Sequence, residues 1–253
     1  MKSNRTLRSL FKMTCVEAKL FLREPVGAFF TLIFPLMYLV LFGSISGNQP
    51  ADIFSGHRTI DAAIPSLTAM VIGLVGLIAI SITIATYREK GILRRLRTTP
   101  VSPLVILVAQ VIVVFVMTAL GMLLLIAVGM IFYQARFEGN PLSLLACFVL
   151  SSLSFFSLGF ILSGIVPTAR FATILGNVLI YPMVFLSGGF FPLELFPEAI
   201  QKVAAFVPLT YVVNLLRGLW FGEPWSAHLL DVGVLVGMLV VGIVISAKTF
   251  RWE

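Results

Sequence analysis

Catalysis by side chains needs an acid, a base, a nucleophile or a metal ligand held against a second group. This sequence spaces almost none of them that way. Its aspartates are Asp52, Asp61 and Asp231, scattered near the ends of apolar runs. His57 and His228 stand apart from each other and read as ordinary surface or interface histidines. Cys15 falls on a basic amphipathic segment and Cys147 inside an apolar run, a spacing that points to neither a disulfide nor a metal site. No lysine follows a glycine, so the phosphate-binding pattern G-x-x-x-x-G-K-[ST] is absent, as are H-x-x-x-H, C-x-x-C and G-x-S-x-G. What the sequence does concentrate is charge. In 87–103, YREKGILRRLRTTPVSP, Arg88, Lys90, Arg94, Arg95 and Arg97 face a single acid, Glu89. Thr99, Pro100, Ser102 and Pro103 then stop any helix and restart the chain. A short basic helix of this kind performs no chemistry alone, but a partner can grip it and pull.

The elements around that stretch are set by composition. The chain has 253 residues, 59% of them hydrophobic and 11% charged, with a mean hydropathy of +1.05. Soluble domains carry about a quarter charged residues, so a soluble fold is excluded. The net charge of +7 sits in the gaps between apolar runs, which is the pattern of a membrane protein rather than of a nucleic-acid binder. The first residues are basic, but Leu7–Arg23 is studded with charge and has no apolar core, so no cleavable signal peptide is expected.

The pattern predicts an all-α membrane protein in a single transmembrane domain, with six spans: 26–46, 62–86, 104–133, 142–166, 171–186 and 229–247. Before them, Leu7, Leu10, Phe11, Thr14, Cys15, Ala18, Phe21 and Leu22 recur at helical spacing, with Arg5, Arg8, Lys12, Lys19 and Arg23 on the other face. Segment 1–24 therefore reads as a helix in the membrane interface, its apolar stripe in the acyl boundary. The alternative is an amphipathic helix packed on a partner. Pro25 ends it.

Lysine and arginine set the orientation. With both termini inside, only Arg58, Arg136, Lys202 and Arg217 of the 18 basic residues fall outside. Segment 187–223 is too apolar for a plain loop, yet Gly188, Gly189, Pro192, Pro197 and Pro208 break it. It reads as a re-entrant helical hairpin entering from outside, with a plain outer amphipathic loop as the alternative. Trp220 and Trp225 are expected in an outer interfacial belt. The first five spans contain no Asp, Glu, Lys, Arg or His. Ion-coupled transporters place such groups at the midplane, so any transport here must draw its energy from outside the bilayer. A pathway would be lined by Phe, Met, Ser, Thr and amides such as Gln110 and Asn177, which suits amphipathic or lipid-like cargo. Interhelical hydrogen bonding is the competing role for those polar residues.

Three stretches carry a family resemblance over nearly the whole chain. They are Phe21-Leu22-Arg23-Glu24-Pro25; Arg88-Glu89-Lys90-Gly91 with Leu96-Arg97-Thr98-Thr99-Pro100-Val101-Ser102; and Ser187-Gly188-Gly189-Phe190-Phe191-Pro192 with Pro208-Leu209-Thr210-Tyr211 and Leu216-Arg217-Gly218. On them the chain resembles the membrane (permease) subunit of type-2 ATP-binding-cassette (ABC) exporters, the daunorubicin-resistance-like group. It departs from many relatives at Val207, where they have Asn, and near Asn214, where they have an acid. The resemblance implies a plasma-membrane permease with no cofactor of its own, ATP and Mg2+ residing in a cytoplasmic ATP-binding-cassette ATPase subunit. A second permease copy or paralogue and membrane lipid are the other implied partners, with no nucleic acid. It implies that 87–103 is the coupling stretch that docks in the ATPase, with Glu89 in a salt bridge to the ATPase or to the interfacial helix. Arg94, Arg95 and Arg97 contact either the ATPase or anionic lipid, and Glu17 and Arg23 brace the docking surface. Asn177, Gly188, Gly189, Pro192, Pro208 and Tyr211 are the candidate pathway and re-entrant residues. The expected function is export of a hydrophobic drug-like or lipid-like molecule. Polysaccharide, glycolipid or peptide cargo, or a membrane assembly protein that moves nothing, are the alternatives; a membrane enzyme lacks the acids and bases it would need.

Overall fold

In the computed structural model, residues 2–46, 49, 57–92, 95, 103–189, 193 and 196–249 are described, and of these 2–7, 26, 46, 103–104 and 249 by backbone alone. Arg94, Arg97 and Pro192 lie outside them. The described residues are almost wholly helical and contain no β-strand, an all-α membrane protein. Helix α1 is Lys2–Arg23. Helix α2 runs as Pro25–Ala28, a π-helical turn Phe29–Ile33 and Phe34–Ser46. Helix α3 runs as Thr59–Leu74, a second π-helical turn Val75–Ala79 and Ile80–Glu89. Then come α4 (Pro103–Tyr133), α5 (Pro141–Ile165), α6 (Ala169–Leu186), the short α7 (Glu198–Ala204), α8 (Pro208–Trp220) and α9 (Leu229–Thr249).

Five described helices are long and apolar enough to cross a bilayer: Thr59–Glu89, Val105–Tyr133, Pro141–Ile165, Ala169–Leu186 and Trp225–Lys248. The apolar part of α2, Phe29–Ile45, is shorter. The whole of α2 is about 30 Å long at the α-helical rise, which is the thickness of a hydrocarbon core. Helix α3 starts at Thr59, before the expected position 62, and takes in Asp61, which the protein holds in its first turn. Asp61 is buried and accepts the Arg136 amide at 3.1 Å.

Small residues let the spans touch backbone to backbone. The α3–α5 crossing is built on Gly76 and Gly159: a Cβ on Gly159 would lie 2.1 Å from the Gly76 carbonyl oxygen. Next to it Ser81 Oγ donates to the Gly159 carbonyl at 2.9 Å, a hydrogen bond from one helix to the other. Ser154 Oγ binds α5 to α9 in the same way, donating to the Leu235 carbonyl at 2.9 Å. Phe148, Phe155, Leu67, Ile72 and Trp220 fill the core between these crossings.

Helix α1 differs from the expected surface helix. Part of its apolar stripe faces protein: Phe21 is buried against Val113 and Met117 of α4, with Ala18 and Ala28 beside it. Phe11, Val16, Leu20 and Leu22 remain exposed. Glu17 is only 4% exposed, and Tyr87 Oη donates to both its carboxylate oxygens at 2.7 Å. Burial raises the Glu17 carboxyl above the ordinary glutamate range, and the Tyr87 hydrogen bond partly opposes it.

Two outcomes follow from this packing. Gly159→Ala should destabilise the detergent-solubilised protein by about 1–3 kcal/mol through overpacking. Gly233→Ala, where an added Cβ meets nothing within 4 Å, should be neutral or slightly stabilising; thermal unfolding of the two variants checks this. For Glu17 the folded pKa lies above the unfolded one, so its contribution is full at acid pH and is lost as pH rises through the raised value. Glu17→Gln keeps an acceptor for Tyr87 and removes that titration. Its melting temperature should therefore gain on the wild type as pH is raised from below 4.5, the ordinary glutamate value, to neutrality.

Candidate functional site

The coupling stretch begins where α3 ends. Gly91 adopts φ +65°, the left-handed conformation that closes a helix C-terminus and costs glycine nothing. Its amide donates to the Arg88 carbonyl at 3.0 Å, and the Lys90 amide to the Thr86 carbonyl at 2.9 Å. The Arg95 amide donates back to the Gly91 carbonyl at 3.0 Å. Lys90, Arg95 and Arg23 are exposed.

Three consecutive side chains at this end reach three different elements. Tyr87 holds Glu17 of α1. Arg88 reaches the C-terminus of α5: its Nη1 donates to the Ser163 carbonyl at 3.0 Å and its Nη2 to the Val166 carbonyl. Glu89 Oε2 accepts the Ala169 amide, the first of α6, at 3.0 Å. A guanidinium thus sits on the carbonyl-rich end of one helix and a carboxylate on the amide-rich start of the next, each where the helix dipole favours it. Of the two bridges expected for Glu89, to α1 or to the ATPase, the one to α1 is made by Tyr87, while within the chain Glu89 meets α6. Sequence reasoning did not assign a role to Tyr87. The available signal was a phenol one residue before a charged run, on the same end as a lone buried acid.

At the other end the chain dips back. Helices α7 and α8 meet at 93°. Pro208 opens α8 without needing an amide partner. Two hydroxyls from its first turn fix the corner: Thr210 Oγ1 donates to the Ala204 carbonyl at 2.8 Å and Tyr211 Oη to the Ala205 carbonyl at 2.5 Å. Leu209 lies beside Gly73 and Ile180, well inside the bundle. Trp220, at the far end of α8, donates from Nε1 to the Arg136 carbonyl at 3.1 Å. So α8 starts deep and climbs back to the end it came from. After α6 the turn is held by Ser187, whose Oγ accepts the Gly189 amide at 3.2 Å, and by Arg217, whose Nη2 donates to Ser66 Oγ at 3.0 Å and the Gly188 carbonyl at 3.4 Å.

Two expectations are corrected here. Trp220 is no interfacial belt residue: it is 1% exposed and packs edge-on to Phe137, because its indole N–H finds a carbonyl inside the protein. His228 is not isolated: its Nε2 lies 3.0 Å from Glu223 Oε2 and its Nδ1 2.8 Å from Asp231 Oδ2, which ties the exit of α8 to the start of α9.

A cavity of about 480 Å3 lies among α1, α2, α3 and α6. Asn177 lines it, together with Thr31, Thr83, Thr173 and Tyr181, against aromatic and aliphatic walls that include Phe30 and Phe34; Glu24 stands at its edge. Both π-helical turns border it, through Phe30 and Thr31 on one side and Val75 and Ile78 on the other. Such turns disturb the regular helix and occur disproportionately at functional sites. Of the described candidate pathway residues the structure brings only Asn177 to this cavity; Gly188, Gly189, Pro208 and Tyr211 build the hairpin.

Among the described residues no group of three or more His, Cys, Asp and Glu side chains is placed to hold a metal ion. Comparison with known proteins agrees with the architecture. The ABC-2 type transporter family matches residues 8–221. Nodulation protein J of Rhizobium leguminosarum bv. viciae is 34% identical over 102 residues, 40% of this chain and 39% of that protein, so the similarity spans about two-fifths of the relative's length. The putative transport permease ycf38 of Porphyra purpurea is 28% identical over 238 residues, 90% of this chain and 79% of that protein. The probable multidrug ABC transporter permease YbhR of Escherichia coli K12 is 25% identical over 160 residues, 63% of this chain and 44% of that protein. With the family match running from α1 through α8, and with helices long and apolar enough to span a bilayer, this integral membrane protein belongs to the ABC-2 type transporter family.

Proposed function

We propose that the chain is the permease subunit of an ATP-driven exporter, worked by a separate cytoplasmic ATP-binding-cassette ATPase that docks on 87–103. The observation that carries this reading is the run Tyr87-Arg88-Glu89. Its three side chains tie the start of the coupling stretch to α1, to the end of α5 and to the start of α6. A push on 87–103 therefore reaches three elements together, and α1 and α6 are two walls of the Asn177 cavity. The lysine and arginine bias supports placing this end, and both termini, on the cytoplasmic side of the plasma membrane. The stretch between the exposed Lys90 and α4 supplies the contact, with Arg94, Arg95 and Arg97 toward the ATPase or anionic lipid and Arg23 at the margin. ATP and Mg2+ belong to the ATPase subunit.

The Asn177 cavity is our cargo site. Its size lies within the range of small-molecule pockets, which are mostly apolar with a few placed polar groups. One amide, three threonines, a phenol and a carboxylate among aromatic walls suit a hydrophobic drug-like or lipid-like molecule with a polar end. The name of the Escherichia coli relative, a probable multidrug permease, supports the drug-like reading. A second permease copy or paralogue completes the pathway, against the exposed face of α6 formed by Ile174, Val178, Tyr181 and Phe185.

Co-expression with the ATPase subunit tests the coupling. Glu89→Arg removes the cap on α6 and places a cation against its positive end, so cargo-stimulated ATP hydrolysis should fall roughly tenfold, the size of an ordinary coupling energy. Full stimulation together with retained pairing defeats the docking reading. Asn177→Trp fills the cavity and should lower ATP-dependent cargo uptake into inverted vesicles about tenfold, with basal hydrolysis retained. Vesicles that move no cargo in the presence of a working ATPase would point to an assembly role instead.

A further inference from the structure

The cavity around Asn177 offers its occupant mostly hydrogen-bond acceptors. Thr31 Oγ1 donates to the Gly27 carbonyl at 2.7 Å and Thr173 Oγ1 to the Ala169 carbonyl at 3.0 Å. Each hydroxyl thus uses its proton within its own helix and turns only lone pairs toward the cavity. An ionised glutamate has only lone pairs to offer, and Glu24 is the one acid among the described residues that line this space. Its side chain folds along the start of α2: a Cβ on Gly27 would lie 3.6 Å from Glu24 Cδ and 3.7 Å from Oε2, and both residues line the cavity. Among the described residues no ion pair or side-chain hydrogen bond holds that carboxylate. No Lys, Arg or His is found among the described lining residues, and Arg23, next in sequence to Glu24, is exposed and does not line the cavity.

Five aromatic side chains, Phe21, Phe30, Phe34, Tyr181 and Phe185, border the same space. Aromatic rings attract organic cations, more strongly where water is scarce. Glu24 is exposed at the rim, just before Pro25 opens α2, and Thr31 and Phe34 lie about two and three turns further along that helix. The chain as a whole carries a net charge of +7, so the sign of this cavity runs against that of the protein around it. We propose that the cavity selects hydrophobic organic cations, amines protonated at neutral pH, with Glu24 as their counter-charge. This rests on the cargo-site reading of the cavity and fixes the charge of the cargo. A phospholipid that bears an amine also bears a phosphate, which the carboxylate repels. A volume of about 480 Å3 is that of a drug-sized pocket, so the occupant is a small amine.

The test uses the full chain in uncharged maltoside micelles and two fluorescent probes that differ in charge. Dansylcadaverine carries an ammonium on a pentyl chain; its N-acetyl derivative is neutral. Dansyl fluorescence rises on entry into an apolar site and reports binding of either. The ammonium should bind roughly tenfold tighter than the amide, an ion pair open to water adding to the attraction of the rings. Asn177→Trp should abolish saturable binding of both probes by filling the cavity. Glu24→Gln should cut the preference for the ammonium by about two- to fivefold, the size of a solvent-exposed ion pair, and Glu24→Lys should turn it in favour of the neutral probe. Glu24 is exposed, so its replacements leave the core intact, and the melting temperature of each variant confirms folding. Equal affinity for the two probes, with both lost in Asn177→Trp, overturns the charge selection and leaves the cargo cavity standing. Saturable binding that survives Asn177→Trp overturns the cavity as cargo site and the selection with it. A preference undiminished in Glu24→Gln, or no saturable binding of the ammonium, also overturns the proposal.

Discussion

Where two membrane helices succeed each other with only a few residues between, the carbonyls that end one and the amides that start the next need partners from outside their own helices. The α5–α6 junction meets that constraint with residues from a third helix. Arg88 takes the carbonyls of Ser163 and Val166, and Glu89 takes the amide of Ala169. Each side chain takes up backbone groups that a helix end leaves without an intrahelical partner. The same two side chains that solve a local hydrogen-bonding problem thereby weld the end of α3 to the junction. The glycine turn at 91 lets the chain leave immediately afterwards.

The opposite end of the bundle uses neutral donors for a similar purpose. Hydroxyls of Thr210 and Tyr211 hold the corner between α7 and α8, and the Trp220 indole seals the mouth onto the Arg136 carbonyl. Irregular backbone at membrane depth is tolerated because protein groups take up each freed carbonyl. The cavity around Asn177 lies between these two rigid ends, flanked by the two segments where regular α-helical bonding gives way to π-helical turns.

Much of this was legible from residue order. Long runs free of charge could only be membrane helices, and the broken, apolar 187–223 segment could not be a straight one. Asn177 stood out as an amide in an apolar run. What stayed hidden depended on tertiary contacts. Glu89 reads the same in sequence whether it faces a partner or caps α6, since nothing near it marks Ala169, 80 residues on, as its acceptor's donor. Trp220 has the composition of an interfacial anchor and is a core residue, because Phe137 and the Arg136 carbonyl happen to close over it. His228 is the exception, since its two carboxylates, Asp231 and Glu223, stand only three and five residues away in the sequence. Glu17, on a helix that looks designed for headgroups, is buried because a phenol from α3 arrives to bind it.

The glycine contact between α3 and α5 has a mechanical meaning. Two rods fastened at two places along their length neither slide nor rock against each other. Gly76 lies roughly midway along α3, between the clamp at Arg88 and the mouth at Asp61. With Gly159 against Gly76, Ser81 bonded across the same crossing and Arg88 holding the end of α5, a displacement applied at the Arg88 end is carried by α3 and α5 as one body.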